Sequence, residues 1–286
     1  MPHGSPSRPP RWPLPPKFPR YNAVTILDTV TALAPDVLLT TALAPGAFDE
    51  PSWRDVEEPA LESVVAWAER NGVDVQALGE PSPDPRALED FARYLRDAEL
   101  VAPGLPEVRD AERTLADTLQ RALDHRGVHA TLLPAVEATL LARQNAFGEG
   151  PGTDWLASRS EPMADRIAAY HDTRAVLLAP IDHVPGLRAA LEVRGSSVVM
   201  APDVPASEAA RQRALLDVAM IGEGDDPNAL LGALSELDVP EARLAEAETM
   251  LRFGDVAAAL ERLREASTLD LVEPAWLPGW LLTRLG

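Results

Sequence analysis

The 286-residue chain contains no cysteine. That single absence excludes disulfides, thiolate zinc sites, iron–sulfur clusters and a cysteine nucleophile together. Lysine is nearly absent as well: Lys17 is the one lysine among 26 basic residues, which reads as the codon bias of a GC-rich bacterial genome and not as chemistry. No run reaches 18 consecutive apolar residues, and prolines stand where a signal peptide would need its apolar stretch. No membrane partner is expected, and the expected compartment is the cytoplasm. Also missing are a Gly-x-Ser-x-Gly elbow, the Gly-Lys-Ser/Thr of a phosphate loop and a dinucleotide Gly-x-Gly-x-x-Gly fingerprint. Serine-triad hydrolysis and hydride transfer therefore have no support.

What is present is a globular composition, 46% hydrophobic and 25% charged, with a formal net charge of −19. Such an acidic chain does not neutralise phosphates, so nucleic acid is not an expected partner. The charge is uneven. Residues 1–20 hold Arg8, Arg11, Lys17, Arg20 and eight prolines but no acid, leaving a body of −23. Proline fixes φ and removes backbone donors, so this segment reads as an extended basic arm, anchored by Trp12, Phe18 and Tyr21 on its own acidic body or on a partner.

From residue 21 to about 204 the pattern is α/β. Ala23, Ile26, Leu27, Val30 and Leu33 share a helical face that Pro35 ends, and Pro35 to Leu43 reads as a short buried strand. A second helix, Arg54 to Arg70, closes at Asn71-Gly72 before a strand at Val73–Leu78. Only helical faces recur between about 83 and 147, which reads as a helical insertion. The alternation then resumes with a helix near Glu161–His171, a strand at Arg174–Ala179, a short helix at Pro185–Leu191 and a fourth strand at Gly195–Met200. The expected core is a mostly parallel sheet of at least four strands.

Residues 205–286 read as a helical portion. Asp226-Pro227 forms an N-cap and first turn. Two helices between Glu241 and Ala266 break at Gly254-Asp255, with a faintly tetratricopeptide-like texture. One copy makes no solenoid, so an ordinary helical hairpin is expected. The apolar stretch Pro274–Leu282 is expected to dock on the chain's own core, or to form a homodimer seam through Trp276 and Trp280.

Ligands of open parallel sheets bind outside the carboxyl ends of the strands. That rule selects loops carrying Asp49, Glu50, Glu80, Asp182, His183 and Asp203. Carboxylates with one imidazole suit an activated or metal-bound water, so a divalent metal is a possible cofactor. His183, at the end of the Ala175–Ala179 strand, is the sharpest candidate, with Asp182 and Glu80 as its catalytic companions and Glu50 as a further metal ligand. The alternative is that Asp182 or His183 merely caps the following helix. His125 and His129 read as bracketing a helix–helix turn at Arg126-Gly127, with His129 solvated, and His171 as ending a helix.

Two stretches resemble the TraB/PrgY/GumN and ChaN-like superfamily, which also holds the erythromycin-esterase type. Ala34–Thr40 is similar to that family's Pro-Asp-hydrophobic strand. Leu156–Ala164 followed by Arg174–Gly186 is similar to its Arg-Asn-x-x-Met-Ala helix start and Gly-x-x-His-hydrophobic-x-Gly loop, with His183 as the histidine and Gly186 as the last glycine. The resemblance implies a hydrolase-like protein, metal-dependent if the family's paired histidines hold an ion. Here Ser160 replaces the Asn, Pro180 replaces the first glycine, and His3-Gly4 is at most a remnant of the family's first Gly-x-x-His. The implied site is degenerate, and the competing expectation is a non-catalytic interaction protein.

Overall fold

The computed structural model describes residues 20–49, 59–80, 105–147, 154–221, 226–237 and 239–268, with the isolated positions 53, 89, 93 and 96. The chain divides into two units: Ala23–Pro205, and the residues up to Asn22 together with Ala206 onward.

In the first unit, α1 (Ala23–Leu33) leads into β1 (Val37–Thr40), α2 (Pro59–Asn71) into β2 (Asp74–Ala77), and α5 (Asp154–Ala168) into β3 (Ala175–Leu178), before α6 (Val184–Val193). Between β2 and α5 lie α3 (Leu105–Leu119) and α4 (Leu133–Phe147). The turn that ends α1 places Ala34 at φ 45, and Pro35 behind it cannot continue the helix. The strands are parallel in the order β2-β1-β3, with Val37 opposite both Asp74 and Ala175.

β1 is buried at all four positions, as its apolar run requires of a central strand. Its side chains alternate between two helical layers. Leu38 packs with Val30, Val64 and Ala68 of α1 and α2, whereas Val37 and Leu39 pack with Ile167 and Tyr170, at the end of α5 and just beyond it. α6 joins α5 through Ala164, Ala190 and Leu191. The helices that follow β1 and β3 therefore leave on opposite faces. That divergence between neighbouring strands is the topological switch point of a parallel sheet.

Among the described residues the sheet has three strands, and the fourth expected at Gly195–Met200 carries no ladder. Exposure alternates along 196–200, and Val198 packs against the α5–α6 cluster. Val199 is 84% exposed, so one face of this β-branched run has nothing to pack on, which removes much of what makes such a run a strand.

The described part of the insertion, residues 105–147, is largely helical. Thr139 of α4 donates to the Ala111 carbonyl of α3 at 3.4 Å, and Arg143 pairs with Glu112 at 2.6 Å. Immediately before α4, residues Val128–Leu132 form a π-helical turn. It follows His125–Gly127, whose N-cap Asp124 accepts from the Gly127 amide.

The second unit contains α7 (Glu208–Ile221), α8 (Pro227–Ser235), α9 (Pro240–Arg252) and α10 (Val256–Ser267). It holds an internal repeat that the sequence reading missed. Asp226 caps α8 and Asp255 caps α10. Counting from these caps, Leu230 matches Ala259, Leu234 matches Leu263 and Leu237 matches Ala266, and all six are buried. The buried acids Asp217 of α7 and Glu246 of α9 stand at the same offset. Two helical hairpins are thus stacked, with α9 packed against α7, α8 and α10. Asp255→Ala should remove one cap and cost about 1 kcal/mol, read by urea denaturation of the full chain. An unchanged midpoint would show that the Ala258 amide finds another acceptor.

Of the basic arm, Arg20 is described and residues 1–19 are not. Asn22 is buried and donates through Nδ2 to the Ala210 carbonyl at 3.0 Å, and burial raises the Tyr21 hydroxyl's pKa. Trp12, Phe18, Trp276 and Trp280 lie outside the described residues.

Candidate functional site

Backbone bonds beyond the ladder draw the carboxyl ends of the three strands together. The Thr41 amide donates to Leu178 O at 3.1 Å, Leu78 to Thr40 O at 2.7 Å and Gly79 to Leu43 O at 2.7 Å. Gly79 is required there. A Cβ at this position would lie 2.4 Å from Thr41 O and 2.7 Å from Leu43 O.

After β3, a turn closed by the His183 amide on Pro180 O at 2.9 Å delivers His183 to the N-cap position of α6, with Pro185 in the helix's first turn. Its side chain makes no capping bond. The ring turns inward instead, is 7% exposed, and sets Nδ1 3.3 Å from Thr41 Oγ1 at the end of β1. The switch point is thus spanned by a hydroxyl–imidazole pair. Burial holds the imidazole's pKa below the usual histidine range, Asp182 pulls it upward and Arg159 lowers it further.

α5 supplies two arginines that the sequence reading did not select. Arg166 donates through Nε to Leu78 O at 3.1 Å and through Nη2 to Gly79 O at 3.4 Å, and pairs with the Glu80 carboxylate. Arg159 reaches Glu80 O at 3.5 Å, and its charge lowers the His183 pKa. Arg159 opens the Arg-Ser-Glu-Pro-Met-Ala stretch, in which Ser160, Met163 and Ala164 are buried. That stretch was a usable signal for Arg159.

The expected site residues divide accordingly. His183 and Asp182 are adjacent, and Glu80 faces the same strand ends with its carboxylate engaged by Arg166. Asp49 is exposed in the 3-10 turn Ala47–Asp49. Glu50 lies outside the described residues. Asp203 is elsewhere, its carboxylate 3.8 Å from His125 Nδ1. His125 is buried and not a turn residue, and its ring sits 4.4 Å from that of His129 across the π turn. Burial first, and His125 second, lower the His129 pKa.

A cavity of about 270 Å³ lies along β2 between Phe48, Trp53, Val65 and Glu69. It does not include the His183 cluster.

No family model matches the chain, and no curated protein or solved structure is significantly similar to it. Fold and site define its class: an α/β protein with helices on both faces of a parallel sheet and a histidine–arginine cluster at the switch point.

Proposed function

We propose that the α/β unit is a hydrolase-like module of the TraB/ChaN-like kind, taking a small molecule at the switch point with His183 as its proton acceptor. The observation that carries this reading is a buried imidazole just beyond β3 that forgoes capping its helix and faces the Thr41 hydroxyl. The influence of the Arg159 charge on the His183 pKa supports it, because the two come from the two separate stretches that carry the family resemblance.

Glu50, expected with His183 as a metal ligand, lies outside the described residues. The Glu80 carboxylate is taken by Arg166, and among the described residues no group of three His, Asp or Glu is placed to share an ion. The described groups support a step of their own. In the tautomer whose Nδ1–H donates to Thr41, His183 Nε2 carries the lone pair a base needs. It accepts a proton as water attacks the substrate's electrophilic centre and returns that proton to the leaving group. Asp182 stabilises the transient imidazolium, and the Arg159 charge stabilises the oxyanion.

Chromogenic carboxylate and phosphate esters test the reading. His183→Ala should lower kcat/KM about 10²- to 10⁴-fold while the fold is kept. Because the folded pKa of His183 is depressed, the wild-type rate should fall only as pH drops below the usual histidine range. If no ester is turned over, or turnover survives the substitution, the interaction-protein alternative takes its place. Metal analysis adds a check: a stoichiometric ion lost in His183→Ala would overturn the metal-free form.

A further inference from the structure

The stacked hairpins of the second unit end on an apolar face. In the first hairpin, Leu231 follows the capping Asp226 at the same distance as Leu260 follows Asp255, and Pro227 corresponds to Val256. Pro227 and Leu231 are partly covered, in a helix packed against α9. Their counterparts have no described neighbour of that kind: Val256 is 62% exposed and Leu260 37%, and Phe253 beside them is 56% exposed. These three side chains fall on one stripe of α10 and its leading turn. An array of stacked repeats leaves such a face at its last member unless something caps it.

We propose that the stripe Phe253–Val256–Leu260 is the docking surface for the chain's own apolar segment 274–282, which caps the array. That segment, Pro-Ala-Trp-Leu-Pro-Gly-Trp-Leu-Leu, starts shortly beyond α10 and carries no charge. Continuing the same offset would place a third first helix there, but Pro274, Pro278 and Gly279 do not suit a helix interior. Trp276 and Trp280 supply the large anchors an apolar stripe accepts.

The tether favours this occupant over a second copy. Three exposed side chains fall well short of the roughly 800 Å² per partner that a stable dimer needs. A segment of the same chain meets the face at an effective concentration of about millimolar. It also reaches: eight residues from Thr268 to Trp276 span up to about 27 Å, against about 18 Å for the twelve residues of α10.

The cysteine-free chain makes the test direct. With Ala257→Cys, at an exposed position beside the stripe, and Leu277→Cys in the segment, a short bis-maleimide should give a cross-linked monomer in the full chain. Adding Val256→Asp, which places an acid at the first turn of a helix where it is tolerated, should cut that yield at least fivefold. Circular dichroism reports that α10 persists. Cross-linked dimer as the main product assigns the face to a second copy and overturns the proposal. So does a monomer yield that Val256→Asp leaves unchanged, which would report the tether alone, or no cross-link at all.

Discussion

Arg213→Met should lower the stability of the helical unit by about 3–5 kcal/mol at neutral pH, the cost of removing one partner from a buried ionic cluster. Arg213 donates to Asp217 at 2.7 Å and to Glu241 at 2.6 Å, and the two carboxylates are 2% and 9% exposed. Methionine keeps most of the side-chain volume, so the loss isolates the charge. Burial already raises the Asp217 pKa against the opposing pull of Arg213. Without the guanidinium the folded pKa rises further while the unfolded value stays near about 3.9. A raised acid favours the fold below its unfolded pKa and loses that contribution as pH rises through the folded one. The gap between variant and wild type in urea denaturation should therefore narrow from pH 7 toward pH 4.5. A gap that stays constant would mean that packing, and not charge, holds this cluster.

Gly79→Ala has the second large effect, about 3 kcal/mol, because the added methyl meets two backbone carbonyls and neither can rotate away. The consequence is local before it is global. Gly79 O accepts from Arg166, and its neighbours Leu78 and Glu80 hold the remaining Arg166 contacts. Displacing residue 79 separates β2 from the Thr41–Leu43 segment and loosens the arginines of α5. Thermal unfolding should show the loss, and a nitrogen-15 spectrum should show the Thr41 and Leu43 amides shifted most. Wild-type stability in this variant would mean that the loop after β1 moves aside at no cost.

The three strands were legible because β1 and β3 are short apolar runs and β2 lies in the alternating run Val73–Leu78, each between turn residues, a purely local property. The run at Val198-Val199 has the same local character, yet it forms no ladder, since strand formation also depends on what lies across the sheet. His183 was legible from its place at a strand end. Arg166 was not: it reaches backbone and side chain of residues 78–80 across 86 to 88 positions of sequence, and no spacing rule encodes that. His125 and His129 were misread because Gly127 looked like a turn, whereas the π turn keeps the helix going and brings the rings together. The hairpin repeat was hidden because its matched positions keep burial but not size, with Leu230 against Ala259 and Leu237 against Ala266.

The bond from Asn22 to the Ala210 carbonyl joins residues 188 positions apart. It closes a loop that contains the whole α/β unit, so the helical unit is assembled from two pieces that leave the ribosome at opposite ends of synthesis. The α/β unit is contiguous and can condense as soon as it emerges, while the partner of Asn22 arrives only with α7. Closing so long a loop costs chain entropy that grows only logarithmically with its length, and compaction of the enclosed unit reduces it further. The order of folding is thereby set by connectivity: the α/β unit first, the helical unit afterward, with Asn22 waiting throughout translation for the carbonyl that accepts its bond.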